Sequence, residues 1–173
     1  MQSLLIMTII GQDRTGLVES IAGLIESHGG NWLESRMCRL GGEFAGILRI
    51  RVPKDKEKAL IKSLQEMDSQ GLTVILRPDH REPAIGPHKI ALLSLIGADR
   101  PGIIHQISAI LANKGVNVEE LETEYTSAPM SGEAIFQALA RLQIPASCVL
   151  AELRKELETI GSELMVDISF SEA

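Results

Sequence analysis

The sequence predicts an α+β protein built from one βαββαβ unit used twice, each unit an antiparallel sheet with its helices on one face. Three observations predict it. The string GQDRTG at Gly11–Gly16 returns as GADRPG at Gly97–Gly102, 86 residues later in a chain of 173. Each string follows an apolar run and opens a helical pattern. The register of apolar residues, glycines and prolines around the first string is repeated around the second.

The elements follow in order. Leu4 to Ile10 and Ile90 to Ile96 are runs rich in Ile and Leu that end in glycine, as buried strands do. After the loops, Leu17, Ile21, Leu24, Ile25 and His28 recur at helical spacing, and Ile103, Ile107, Ile110, Leu111 and Lys114 hold the same places. Such a stripe needs a sheet to cover it. Gly29 and Gly115 stop the helices. A second strand spans about Asn31 to Leu40 and Asn117 to Tyr125. The hairpin after it is tight at Leu40–Glu43 and longer at Thr126–Glu133, where the offset between the copies grows from 86 to 92 residues. The third strand alternates: Phe44, Gly46, Leu48, Ile50 and Val52 share one face, and Phe136, Ala138, Ala140, Leu142 and Ile144 share its equivalent. Arg49 and Arg141 lie opposite, and Pro53 and Pro145 end both strands. Leu60, Leu64 and Met67 match Leu153, Leu157 and Ile160 in a second helix. The last strands span Leu72 to Leu76 and Leu164 to Phe170. The order is that of the ferredoxin-like sandwich. The expected domains are residues 1–80 and 89–173, joined by a proline-rich linker at 81–88 that belongs to a semi-extended stretch beginning at Arg77.

Each first strand is apolar on both faces, Leu5, Met7 and Ile9 on one and Leu4, Ile6 and Ile10 on the other. The helix-free face should therefore be covered, by the other copy or by a second chain, which makes a homo-oligomer one expectation.

Composition narrows the function classes. The net charge is −6 and aromatics are 3% of residues, which disfavours phosphate backbones and base-stacking platforms, so no direct nucleic-acid partner is expected. No apolar stretch approaches the ~20 residues of a membrane span, and the start lacks a signal-type segment, so the default location is cytoplasmic without membrane contact. Cys38 and Cys148 read as reduced small hydrophobes. Four scattered histidines have no partner at metal-ligand spacing, no nucleophile elbow occurs, and the acidic run Glu119–Glu124 reads as a solvated or interface face. The expectation is therefore a non-enzyme with no catalytic residues, no metal and no cofactor.

The loops carry the candidate site. The first amides of a helix lack internal partners and its N-terminus is partly positive, so a carboxylate can dock there. Glycines at both loop ends permit a sharp turn and close approach. Pro101 suits a first helical turn. Asp13 and Asp99 have two readings: caps of the helix start, or acceptors for a ligand ammonium group. Amides for a carboxylate and a carboxylate for an ammonium together suit a free amino acid. Arg14 and Arg100 have a plainer reading as partners of nearby acids. The loop is neither a Walker P-loop nor a Rossmann fingerprint.

Two βαββαβ units with these loops, and Gly-x-Asn before the second strand, resemble tandem ACT domains over nearly the whole chain. ACT domains are small-molecule-sensing modules, most often for amino acids. Within them, the segment Ser35–Gly46 and the tandem arrangement resemble the glycine cleavage system transcriptional repressor family. That resemblance implies a regulator without a DNA-binding element, which senses a small amino acid, glycine first, and contacts a transcription activator. It implies a ligand site at the loop and the start of the second strand: Gly11, Gln12, Asp13, Arg14, Thr15, Gly16 and Asn31 in one copy, Gly97, Ala98, Asp99, Arg100, Pro101, Gly102 and Asn117 in the other. Trp32, at the place of Val118, narrows the first site and favours the second loop. The units also resemble the leading module of formyltetrahydrofolate deformylase, though no catalytic domain follows in this sequence. The alternative is a regulatory or dimerisation subunit of a metabolic enzyme without its own ligand.

Overall fold

The computed structural model describes residues 1–80, 87–127 and 132–172. The chain divides into two compact units, Met1–Glu82 and Pro83–Ala173. The first contains β1 (Gln2–Gln12), α1 (Leu17–Ser27), β2 (Asn31–Leu40), β3 (Glu43–Pro53), α2 (Glu57–Gln65), a 3-10 turn (Glu66–Gln70) and β4 (Leu72–Pro78). The second contains β5 (His88–Ala98), α3 (Ile103–Asn113), β6 (Asn117–Ser127), β7 (Ala134–Pro145), α4 (Leu150–Leu164) and β8 (Val166–Glu172). Each unit forms one antiparallel four-stranded sheet, in the orders β2-β3-β1-β4 and β6-β7-β5-β8. The α+β class and the doubled βαββαβ order are those the sequence predicts.

Period-2 alternation sets each sheet's core face. In the first unit Leu5, Met7 and Ile9 of β1 and Leu48, Ile50 and Val52 of β3 are buried against Leu17, Ile21 and Ile25 of α1 and Leu60 and Leu64 of α2. In the second, Ala91, Leu93 and Leu95, with Ala138, Ala140, Leu142 and Ile144, meet Ile103, Ile107 and Leu111 of α3 and Leu153 and Leu157 of α4. Gly29 and Gly115, with φ of 68° and 69°, turn the chain out of α1 and α3.

Several boundaries differ from expectation. Leu164 ends α4 instead of opening the last strand, because Met165 adopts a left-handed conformation (φ 57°) that reverses the chain before Val166. The second helix of the first unit stops at Gln65, and Met67 is buried from the following 3-10 turn. Arg77 and Pro78 extend β4 and His88 opens β5, so the expected semi-extended stretch is shorter at both ends. Of the expected linker, 81–86 lie outside the described residues, as do 128–131 of the long hairpin. Both cysteines are free, Cys38 exposed on β2 and Cys148 half-buried.

The helix-free faces carry large apolar side chains. Ile10, Ile47 and Ile75 in the first unit, and Leu92, Ile96 and Leu139 in the second, are 40–55% exposed. No helix among the described residues is long and apolar enough to cross a membrane.

Candidate functional site

Both loops are solvent-exposed between the last residue of their strand and the first of their helix. Gly16 and Gly102 stand at the N-cap positions with φ of 92° and 96°, a left-handed conformation that favours glycine. Neither helix start receives a side-chain hydrogen bond. The cap reading of Asp13 and Asp99 is thereby overturned: a left-handed N-cap glycine separates each aspartate from the amides it would have to reach. Pro101 likewise sits ahead of the N-cap instead of in the first helical turn. Gly11 and Gly97 serve the sheet. A Cβ on Gly11 would lie 2.3 Å from the Gly71 carbonyl oxygen, and one on Gly97 would lie 2.7 Å from Val166 Cγ1. These glycines let the first strand approach the last.

The two loops share a backbone plan. The Asp13 amide donates to the Gly42 carbonyl and the Asp99 amide to the Ala134 carbonyl, each at 2.9 Å. Their side chains differ. Asp13 Oδ2 is 2.7 Å from Arg39 Nε, and Arg14 Nη2 donates to Gln70 Oε1 at 3.3 Å. In the second loop Arg100 Nη2 rests 3.7 Å from Met165 Sδ, and the Asp99 carboxylate has no hydrogen-bond or ion-pair partner among the described residues. Register explains the difference. Gly11 pairs with Phe44, which pairs with Arg39, so β2 brings a guanidinium to the loop. The equivalent chain runs Gly97, Phe136, Tyr125, and ends in a phenol 66% exposed. The plainer reading of the arginines, as partners of nearby acids, is not what the structure holds.

Gln12 and Ala98 end their strands opposite Glu43 and Ile135, and Thr15 is exposed in the turn. Asn31 and Asn117 do not join the loops. Asn31 pairs with Arg51, seven residues along β3 from the Phe44 level of the first loop, or roughly 23 Å at ~3.3 Å per residue. Asn117 pairs with Gln143, at the corresponding far end of β7. The second strand begins at the opposite end of the sheet from the loop, so within one unit these asparagines cannot share a ligand with it. Arg39 and Tyr125, at the end of that strand, are the residues that sequence reasoning missed. Counting back from the hairpin at Gly41–Gly42 would have placed Arg39 beside the loop.

No group of three or more His, Cys, Asp or Glu able to hold a metal occurs among the described residues. The acidic run on β6 is exposed, with Glu119 3.0 Å from Arg141 Nε.

The ACT-domain family profile matches residues 3–76 and 89–171. The chain belongs to the ACT-domain family. It is 25% identical over 167 residues to the glycine cleavage system transcriptional repressor of Escherichia coli, covering 94% of this chain and 86% of that protein. A UPF0237 protein of Methanopyrus kandleri is 33% identical over 79 residues, covering 45% of this chain and 81% of its own length. Among solved structures, an unidentified protein from Galdieria sulphuraria superposes with a TM-score of 0.87 at 30% identity, covering 100% of this chain and 99% of that one. A candidate glycine cleavage system transcriptional repressor superposes at 0.70 and 18% identity, covering 100% and 98%, a likeness of fold. The protein is thus a tandem ACT-domain chain related to glycine cleavage system transcriptional repressors.

Proposed function

We propose that this protein is a non-enzymatic cytoplasmic regulator that senses a small free amino acid at Gly97–Gly102 and controls transcription by contacting a transcription activator. One observation carries the reading. The Asp99 carboxylate is exposed and unpaired among the described residues, beside a helix start without a side-chain cap. A carboxylate can take a ligand's ammonium group while the first amides of α3 take its carboxylate. The first loop is the weaker candidate because Arg39 already neutralises Asp13. Kinship with glycine cleavage system transcriptional repressors supports the regulatory role and makes glycine the first ligand to test.

A thermal-shift screen of the intact chain against the free amino acids tests the proposal. A ligand at 100 times its Kd adds about 2.7 kcal/mol of stability. At least one amino acid should raise the melting temperature, and Asp99→Ala should remove the response while Asp13→Ala keeps it. A flat screen contradicts sensing. It would favour the second reading, a dimerisation subunit without its own ligand, which the exposed apolar sheet faces support.

A further inference from the structure

Alternation gives each sheet two faces, and the register fixes which residues share the one without helices. In the first unit, Ile6, Thr8 and Ile10 of β1 lie beside Arg49, Ile47 and Ala45 of β3, and beside Arg77, Ile75 and Thr73 of β4. In the second, Leu92, Ser94 and Ile96 of β5 lie beside Arg141, Leu139 and Gln137 of β7, and beside Ser171, Ser169 and Asp167 of β8. Each face has an apolar centre. Ile10, Ile47 and Ile75 in one, and Leu92, Ile96 and Leu139 in the other, are 40–55% exposed, so the single chain leaves both centres bare.

The charges around these centres have opposite sign. Arg49 is held within its own unit by Asp79, 2.6 Å from its Nε, and by Glu34, 3.7 Å from its Nη1. Beyond that cluster, the described residues of the first face include Arg36 beside Ile47, Arg51 beside Leu4 and Arg77 beside Ile6, against one acid, Glu43. On the second face Arg141 is held by Glu119 at 3.0 Å. Beyond that pair, its described residues include Glu120, Glu122 and Glu124 along β6 and Asp167 on β8, and no further base. Two first faces set together would therefore oppose arginines, and two second faces would oppose carboxylates. A first face on a second face matches them. Sheets stacked face to face keep their strands near alignment, so β6 would lie over β2 or over β4. Arg36 stands on the one and Arg77 on the other.

We propose that a second copy of this chain covers both helix-free faces, the first unit of each copy on the second unit of the other. Each chain brings one face of each sign, so a two-fold pair matches all four faces with none left over. The area suffices. Four strands at ~4.8 Å spacing, with about seven residues each at ~3.3 Å, make a face of roughly 440 Å². Covering both faces of both chains buries roughly 1,800 Å² in all, the size of a stable protein–protein interface. The interface goes beyond the sensing role and is independent of it, because none of these residues belongs to the Gly97–Gly102 loop.

Sedimentation equilibrium on the intact chain tests this. The chain should be a dimer, and a chain still monomeric at ~100 μM overturns the proposal, whether its faces meet within one chain or take another partner. Ile47→Glu and Leu139→Glu each put a charge in an apolar centre, and each should give a monomer with unchanged far-UV circular dichroism. Arg36→Glu, Arg77→Glu and Glu122→Arg change only exposed charges. Glu122→Arg, and whichever arginine reversal lies under β6, should each raise the dimer dissociation constant at least about tenfold. Combining that arginine reversal with Glu122→Arg should restore dimerisation to within about threefold of wild type. Restoration in neither double variant overturns the pairing of unlike faces. A dimer strengthened by Arg36→Glu would mean that like faces meet, and overturns it too. A dimer unchanged by Ile47→Glu and Leu139→Glu places the contact elsewhere and overturns the proposal outright.

Discussion

Asp13 and Asp99 occupy one place in two copies of a loop and meet different neighbours, because β2 has Arg39 where β6 has Tyr125. Exchanging those neighbours is informative. Tyr125→Arg should supply Asp99 with an ion pair and weaken amino-acid binding at the second loop, whereas Arg39→Tyr should change stability by no more than ~1 kcal/mol, the scale of an exposed pair. Calorimetry for the first and urea denaturation for the second check both. Gly11→Ala and Gly97→Ala force a Cβ to 2.3 Å from a carbonyl oxygen and to 2.7 Å from Val166. Each should destabilise by about 1–3 kcal/mol in equilibrium denaturation. The doubled loop was legible in the sequence as a strand-to-helix turn. The jobs of its residues were not, because glycine preference looks the same whether a ligand or a neighbouring strand needs the space. The aspartates looked like caps because their spacing to the helix suits a cap, and only the left-handed N-cap glycines show otherwise.

At the scale of elements, helix periodicity and strand alternation were strong signals, and α1, α3, β3 and β7 fall where the apolar stripes put them. Boundaries set by single-residue conformation were harder to read. Leu164 continues the alternation of β8 backwards, yet Met165 at φ 57° ends the helix after it. Lys114 closes α3 onto α4. Its ammonium is 2.8 Å from Glu156 Oε1 and 3.3 Å from Glu152 Oε2. The hydrogen bond to Glu156, then that to Glu152, raises its pKa above the ordinary 10.5. A raised lysine pKa means the folded state holds the proton more tightly than the unfolded state. The resulting stability is complete below pH 10.5 and is lost as pH rises through the folded value. Lys114→Met should therefore lower stability by a constant amount from pH 7 to about 10, and the difference from wild type should shrink at higher pH. A difference that grows above pH 10.5 would contradict the assignment.

Across the whole molecule, each unit holds its own hydrophobic core, one centred on Ile50 and Leu64 and the other on Leu142 and Leu157. Leu142 is fully buried, and Leu142→Ala should cost about 2–5 kcal/mol. Amide hydrogen exchange should report the loss in residues 87–172, with protection in 1–80 retained. The sequence could announce two such units because a duplicated fold repeats its periodicities. It aligned Leu48 with Ala140, but that both lie in the core, 1% and 5% exposed, is set by the packing of each sheet on its own helices.

The central claim is that the copies have divided their roles, with the second loop binding an amino acid and the first held closed by its own ion pair. Binding stoichiometry tests it most directly. Isothermal titration of the intact chain with the best amino acid from the screen should give one site per chain, lost in Asp99→Ala and kept in Asp13→Ala. Two equivalent sites, or a single site lost with Asp13 and kept without Asp99, would contradict it.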